Sequence, residues 1–173
     1  MYSVEFFHFC VTFLVRVCER SSSNEEIDTR KKRKNVRKSY LETMKSRTLV
    51  IDNGADTMKI GFAGEDMSTP RGVIPNRFGT LPKQITKLYG EDTVKIMKNK
   101  ATLRYKIPFE RGYMIDPDCQ EEIWSDTFSK RKLNIDPKQC NLLLTEPYLN
   151  PRPLREQTNE LVFEKFQFQS AAY

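Results

Sequence analysis

The stretch Thr48–Asn76, TLVIDNGADTMKIGFAGEDMSTPRGVIPN, leaves this chain few choices of local structure. Its run Thr48–Ile51 is largely apolar and ends in Asp52-Asn53-Gly54; after a short turn, Met58, Ile60 and Phe62 alternate with Thr57, Lys59 and Gly61. Strand side chains alternate between faces, so two such runs across a polar turn predict a β-hairpin with a polar tip. Met58, Ile60 and Phe62 share one face and Lys59 takes the other. Arg71–Asn76 reads as a third strand, closed by Pro75, which has no N–H to give to a ladder.

The tip carries specific chemistry. Gly54 can adopt backbone conformations that other residues avoid, so successive N–H groups of the turn can converge on an anion as a nest. The Lys59 ammonium can meet the same anion, and Asp52 can hold a metal-bound water. The alternative is a plain hairpin turn with a surface lysine, and the spacing alone favours that plainer reading.

Beyond the hairpin, Phe78–Lys106 is basic and weakly periodic. Asp116-Pro117 reads as an N-cap followed by the first helical position. Cys119, Ile123, Trp124 and Phe128 then form one buried stripe at helical spacing, which makes Trp124 a core residue rather than a ligand platform. Cys140–Thr145, CNLLLT, has the short, nearly continuous apolar character of a strand buried on both faces. Asn150-Pro151 repeats the capping pattern; Leu154, Thr158, Leu161, Val162 and Lys165 follow on one helical side, with Phe163 and Phe166 widening it. Phe168–Tyr173 begins a further element.

The positive charge is unevenly placed. Of 29 Lys/Arg and 23 Asp/Glu, residues 1–47 hold 11 and 6, so the body is nearly neutral. A folded domain that reads nucleic-acid sequence normally carries a basic stripe, so no direct sequence-specific contact with nucleic acid is expected. In the N-terminal extension, residues 6–17 form an apolar run of 12, short of the roughly 20 that span a membrane. The run also lacks the flanks of a secretory signal. Residues 21–47 are polar and read as a disordered linker. Within them Arg30, Lys31, Lys32, Arg33, Lys34, Arg37 and Lys38 form a nuclear-import candidate, equally readable as a solvated run. Met44 is a second possible start. Cys10, Cys18, Cys119 and Cys140 have no metal-ligand spacing and read as reduced thiols, and the single His8 cannot complete a zinc site.

The DNG triplet, Lys59, GFAGED and PRGVIPN together resemble the opening of the actin family, whose first phosphate-binding loop joins its first two strands. The resemblance continues through IPFERGYMID, EEIW, LLLTEPYLNP and FEKFQFQSAAY, covering Thr48–Tyr173 in family order. It implies a partial actin-like α/β domain of the ribonuclease-H-like type over residues 48–173, with a short second-subdomain insertion, after an extension over 1–47. It also implies ATP or ADP with Mg as cofactor. Asp52 then matches the aspartate near the nucleotide-bound metal, Asn53 and Gly54 the backbone turn, and Lys59 the phosphate lysine; no residue is expected to ligate the metal directly. Ala55 stands where conventional actin has a phosphate-contacting serine. Asp56 replaces a glycine and sets a like charge beside the phosphates unless it points to solvent.

VIPN at Val73–Asn76, RGYMID-x-D-x-Q-x-EIW from Arg111 and TNELVFEKFQFQSAAY from Thr158 resemble the nuclear actin-related class found in histone-exchange remodelling complexes. Its implied partners are a remodelling ATPase, other complex subunits and variant histone dimers; its implied location is the nucleus, with no membrane contact. KLNID at Lys132–Asp136 with LLLTEP instead resembles the cytoskeletal class of the branching complex, in the cytoplasm. The resemblance stops before the family's catalytic glutamine and second phosphate loop, so no ATPase activity is expected. Sugar kinases and chaperone ATPases of the same wider fold would need both a catalytic carboxylate and that loop. The short insertion counts against polymerisation, and apolar surface is expected where the rest of the family fold would pack.

Overall fold

The computed structural model describes residues 47–65, 69–82, 86–98 and 103–173. The import candidate Arg30–Lys38, the apolar run 6–17, Met44, Cys10 and Cys18 lie outside these residues.

The hairpin forms as the alternation requires. Strand β1 (Arg47–Asn53) pairs antiparallel with β2 (Thr57–Phe62), setting Ile51 opposite Ile60, Asp52 opposite Lys59 and Asn53 opposite Met58. Strand β3 (Gly72–Pro75) joins the outer edge of β2 with Ile74 beside Met58.

A smaller sheet follows in the insertion: β4 (Phe78–Thr80) between β5 (Lys87–Tyr89) and β6 (Arg104–Lys106), with helix α1 (Glu91–Lys98) after β5. The chain then makes a second hairpin, β7 (Phe109–Glu110) and β8 (Tyr113–Met114). Its two linking residues, Arg111 and Gly112, both have positive φ, 50° and 87°. That handedness matches the strand twist and favours glycine.

Helix α2 (Pro117–Phe128) starts where the Asp-Pro pair predicts, with the Asp116 carboxylate accepting a hydrogen bond from the Cys119 amide at 2.9 Å. Strand β9 (Cys140–Leu144) returns parallel to β1, and β10 (Ser170–Ala172) lies parallel to β9. The main sheet therefore runs β10-β9-β1-β2-β3, an α/β fold with a mixed five-stranded sheet. Leu142, Leu143 and Leu144 are all buried, as expected of an interior strand.

One face of that sheet builds the core. Leu49, Ile51, Met58, Ile60, Ile74, Leu142 and Leu144 pack with Cys119, Ile123, Trp124 and Phe128 of α2. Trp124 is fully buried and donates its indole N–H to the Met58 sulfur at 3.2 Å. It is a core residue.

The last helical segment departs from expectation twice. Asn150 does not cap it: helix α3 (Arg152–Asn159) has Pro151 at its N-cap and no side-chain cap, while the Asn150 side chain donates to Glu146 at 3.2 Å. Arg155 holds the same carboxylate through its Nε at 2.9 Å, so Glu146 draws Asn150 away from the helix end. The segment then widens into a π-turn (Glu160–Lys165). A π-turn accommodates an extra residue and shifts the following side chains around the axis. Leu161 and Val162 are buried and Phe166 reaches the Trp124 and Phe128 rings at 5.5 Å, but Phe163 is left exposed. Exposed apolar surface also occurs at Tyr148 and Leu149, 89% and 78% accessible.

Candidate functional site

Alternation along β1 divides the tip between the two faces of the sheet. Asp52 faces away from α2, toward Lys59 on β2 and Thr145 at the end of β9; Asn53, one residue on, faces α2.

On the first side the Lys59 ammonium meets Asp52 Oδ2 at 2.8 Å, and the Thr145 hydroxyl donates to Asp52 Oδ1 at 3.0 Å. The Thr145 hydroxyl oxygen also accepts from the Asn53 amide at 3.2 Å. Both charges are largely withdrawn from solvent, with side chains 11% and 19% accessible for Lys59 and Asp52. The two residues expected to face a phosphate and its metal are thus drawn to each other. Thr145 carried no signal in the sequence beyond ending the CNLLLT strand.

On the second side lie two residues that sequence reasoning missed as part of this site, Asn76 and Gln120, both wholly buried. Their side-chain amides pair reciprocally: Asn76 Nδ2 donates to Gln120 Oε1 at 3.2 Å and Gln120 Nε2 to Asn76 Oδ1 at 3.1 Å. Asn76 Nδ2 also reaches Asn53 Oδ1 at 3.1 Å and the Gly54 carbonyl at 2.9 Å. Asn53 Nδ2 returns a bond to Gln120 Oε1 at 3.3 Å. The Asn76 backbone amide donates to the Asp56 carbonyl at 2.8 Å, so this single residue holds the tip by two of its carbonyls. Gln120 was visible as a polar residue three and four positions before Ile123 and Trp124, on the stripe that packs inward.

Gly54 is required here, but not for the expected reason. The glycines with positive φ are Gly64, Gly90 and Gly112, so Gly54 does not supply the left-handed step of a nest. A side chain at Gly54 would instead place its Cβ 2.7 Å from the Thr57 carbonyl oxygen, closer than such contacts can be. Among the described residues the amides of Gly54, Ala55 and Asp56 have no hydrogen-bond partner. These three donors suit an anion. Asp56 itself turns to solvent, 80% accessible, and pairs with Arg77.

The insertion is fastened to α2 by a second polar cluster. Lys87 Nζ reaches both Glu122 oxygens, at 2.7 and 2.6 Å, and the Tyr89 hydroxyl donates to Glu122 at 3.0 Å. The Lys87 bonds hold the Glu122 carboxyl below its usual range against the opposing effect of burial. Burial, and then the Glu122 carboxylate, push the Tyr89 hydroxyl up to about 12. Burial also pushes the Cys119 thiol up to about 11; Cys119 and Cys140 are free thiols.

No group of three His, Cys, Asp or Glu among the described residues can hold a metal ion, and no described helix is long and apolar enough to cross a membrane. A cavity of about 740 Å³ lies at the far end of the sheet against Arg47, Phe62, Phe128 and Gln169, away from the tip.

Comparison with known proteins adds the family. A family model described as Actin matches residues 43–173. An actin-like protein ARP6 from Cryptococcus neoformans var. neoformans is 38% identical over 122 residues, covering 70% of this chain and 24% of its own length. An actin-related protein 6 from Dictyostelium discoideum is 31% identical over 131 residues, 76% of this chain and 26% of the relative. An actin-related protein 2 from Caenorhabditis briggsae is 31% identical over 137 residues, 75% of this chain and 34% of the relative. The chain thus spans about a quarter to a third of the length of these curated relatives.

Proposed function

This chain belongs to the actin family, and from that premise we propose that it acts as a nuclear, non-catalytic structural subunit of an ATP-dependent remodelling complex that exchanges histone variants. The observation that carries the reading is its likeness to actin-related proteins 6 of two distant organisms. The VIPN and D-x-Q-x-EIW motifs of that class supply Asn76 and Gln120, the two residues that hold the tip.

In this role the partners are a remodelling ATPase, its companion subunits and variant histone dimers, and the turnover belongs to another subunit. A nucleotide, when bound, supplies a polyanion to the amides of Gly54, Ala55 and Asp56. Hydrolysis needs oriented donors on both sides of the phosphates, with water controlled between them. The described tip offers one such wall, and its Lys59 is committed to Asp52. Single-turnover ATP cleavage by the purified chain would overturn the non-catalytic part of the proposal.

The likeness to actin-related protein 2 favours a second reading, a cytoskeletal branching-complex subunit. Affinity purification of the tagged protein from nuclear and cytoplasmic fractions, started once at Met1 and once at Met44, separates the two. Recovery of a remodelling ATPase with variant histones is expected; recovery of branching-complex subunits with actin would establish the alternative. On the nuclear reading, replacing Arg30, Lys31, Lys32, Arg33, Lys34, Arg37 and Lys38 with alanine abolishes nuclear accumulation of a fluorescent fusion made from Met1. Unchanged accumulation would return that run to a solvated stretch.

A further inference from the structure

We propose that Asn76 and Gln120 are positioning residues for the hairpin tip: their buried amide pair sets the direction of the tip's backbone donors and thereby the affinity of the tip for an oligophosphate. The inference rests on the reading that nucleotide phosphates are held at this turn.

Burying two primary amides carries a cost. Each presents two donors and an acceptor with room for two bonds, and a buried polar group left unpaired costs more than a made bond returns. Apolar side chains would fill the same space without that cost. Here instead Asn76, Gln120 and Asn53 satisfy one another, and such a network is rigid when complete because each bond fixes the orientation of the next.

The consequence for the tip follows from peptide geometry. In a trans peptide the C=O and the following N–H point in opposite directions. Asn76 Nδ2 draws the Gly54 carbonyl inward at 2.9 Å, so the Ala55 N–H of the same peptide is turned outward. The Asn76 amide also draws in the Asp56 carbonyl at 2.8 Å, fixing the other end of the turn. Gln120, one element away on α2, keeps the Asn76 side chain in the rotamer that makes the first of these bonds. Because Ala55 has no hydroxyl to offer an anion, outward backbone donors are what the turn has to bind with.

Asn76 also stands at the mouth of the insertion. The next residue, Arg77, pairs with Asp56 and accepts through its carbonyl from the Gly90 amide at 2.9 Å. A change in the tip is therefore felt where the small sheet leaves the large one.

The test uses the full chain as wild type, Gln120→Leu, Asn76→Ala and Ile123→Val, the last a core change on the same helix that removes no hydrogen-bonding group. Calorimetric titration with inorganic tripolyphosphate is expected to show binding to the wild type and to Ile123→Val, and about tenfold weaker binding to the other two with far-UV circular dichroism unchanged. Amide exchange at Asn76, whose N–H ends on Asp56, is expected to quicken in Gln120→Leu beyond any change in Ile123→Val. Wild-type affinity in Gln120→Leu, or Asn76 exchange no faster than in the control, overturns the positioning role. If the wild type does not bind tripolyphosphate, the nucleotide reading falls and the affinity part with it. Exchange at Asn76 then decides the orientation of the tip by itself.

Discussion

On the helix side of the hairpin, uncharged amides close on one another, with Asn76 and Gln120 wholly buried. On the opposite side a carboxylate and an ammonium, Asp52 and Lys59, meet beside Thr145 with water still reaching part of both. Successive residues of one strand, Asp52 and Asn53, lead into the two arrangements. The neutral side obtains its shape from many directional bonds of modest strength, and the charged side obtains cohesion from one strong pair with less demand on angle. Geometry and cohesion are thus divided between the faces.

The largest effect is expected from removing the charged pair one partner at a time. Lys59→Met leaves the Asp52 carboxylate with Thr145 alone in a poorly hydrated place, and should lower unfolding free energy by about 3 kcal/mol. Urea denaturation measures it. Asp52→Asn combined with Lys59→Met should recover most of that loss, since two absent charges cost less than one unpaired charge. A double variant as unstable as the single would mean that Lys59 contributes through its packing and not through the pair.

The neutral side should cost less to break. Gln120→Leu keeps the volume of the side chain but leaves Asn76 and Asn53 each short of a partner, a penalty of about 2 kcal/mol in the same denaturation experiment. If it exceeded the Lys59→Met loss, the neutral face and not the charged one would supply most of the cohesion. The exposed rim should hardly register: Asp56→Ala removes a carboxylate that is mostly in solvent, so its ion pair with Arg77 should change stability by less than about 1 kcal/mol.

The face that Lys59 takes was legible in the sequence; its pairing with Asp52, the part of Thr145 and the whole neutral side were not. Alternation through Met58, Ile60 and Phe62 puts Lys59 on the far face, and only local information is needed for that. The register that sets it opposite Asp52 is seen only in the structure. The Asn76–Gln120 pair joins residues 44 positions apart, on a strand end and a helix, and no periodicity links them. What could be read was a polar residue on an apolar helical stripe at Gln120, a place where burial demands a partner without saying which one. The same limit explains α3. The Asn150-Pro151 pattern has the chemistry of a cap, but Glu146 competes for the asparagine, and the π-turn after it answers to the rings of Trp124 and Phe128 rather than to local preference.

The smallest expected effect concerns acid, and it separates the tip's amides from the carboxylates that fasten the insertion. Glu122 is held below its usual range first by its bonds to Lys87, then by the Tyr89 hydroxyl, against burial. For Asp116 the largest influence, burial, acts upward, but the Lys106 hydrogen bond, the Cys119 amide and the Lys106 charge together outweigh it and hold the group low. A carboxyl whose pKa is depressed on folding adds stability that is present above its unfolded value and is lost as pH falls through the folded one. The loss should therefore begin as pH drops past the ordinary values of 4.5 for Glu122 and 3.8 for Asp116, and be complete below their lowered folded values. Lys87→Met provides the check. Its deficit against wild type, measured by urea denaturation, should shrink across that window as Glu122 gains its proton, whereas the Gln120→Leu deficit, which involves no titrating group, should stay level. A Lys87→Met deficit that does not change with pH would mean that the lysine supports the insertion through its contact with the Phe78 ring, 4.9 Å away, and not through Glu122.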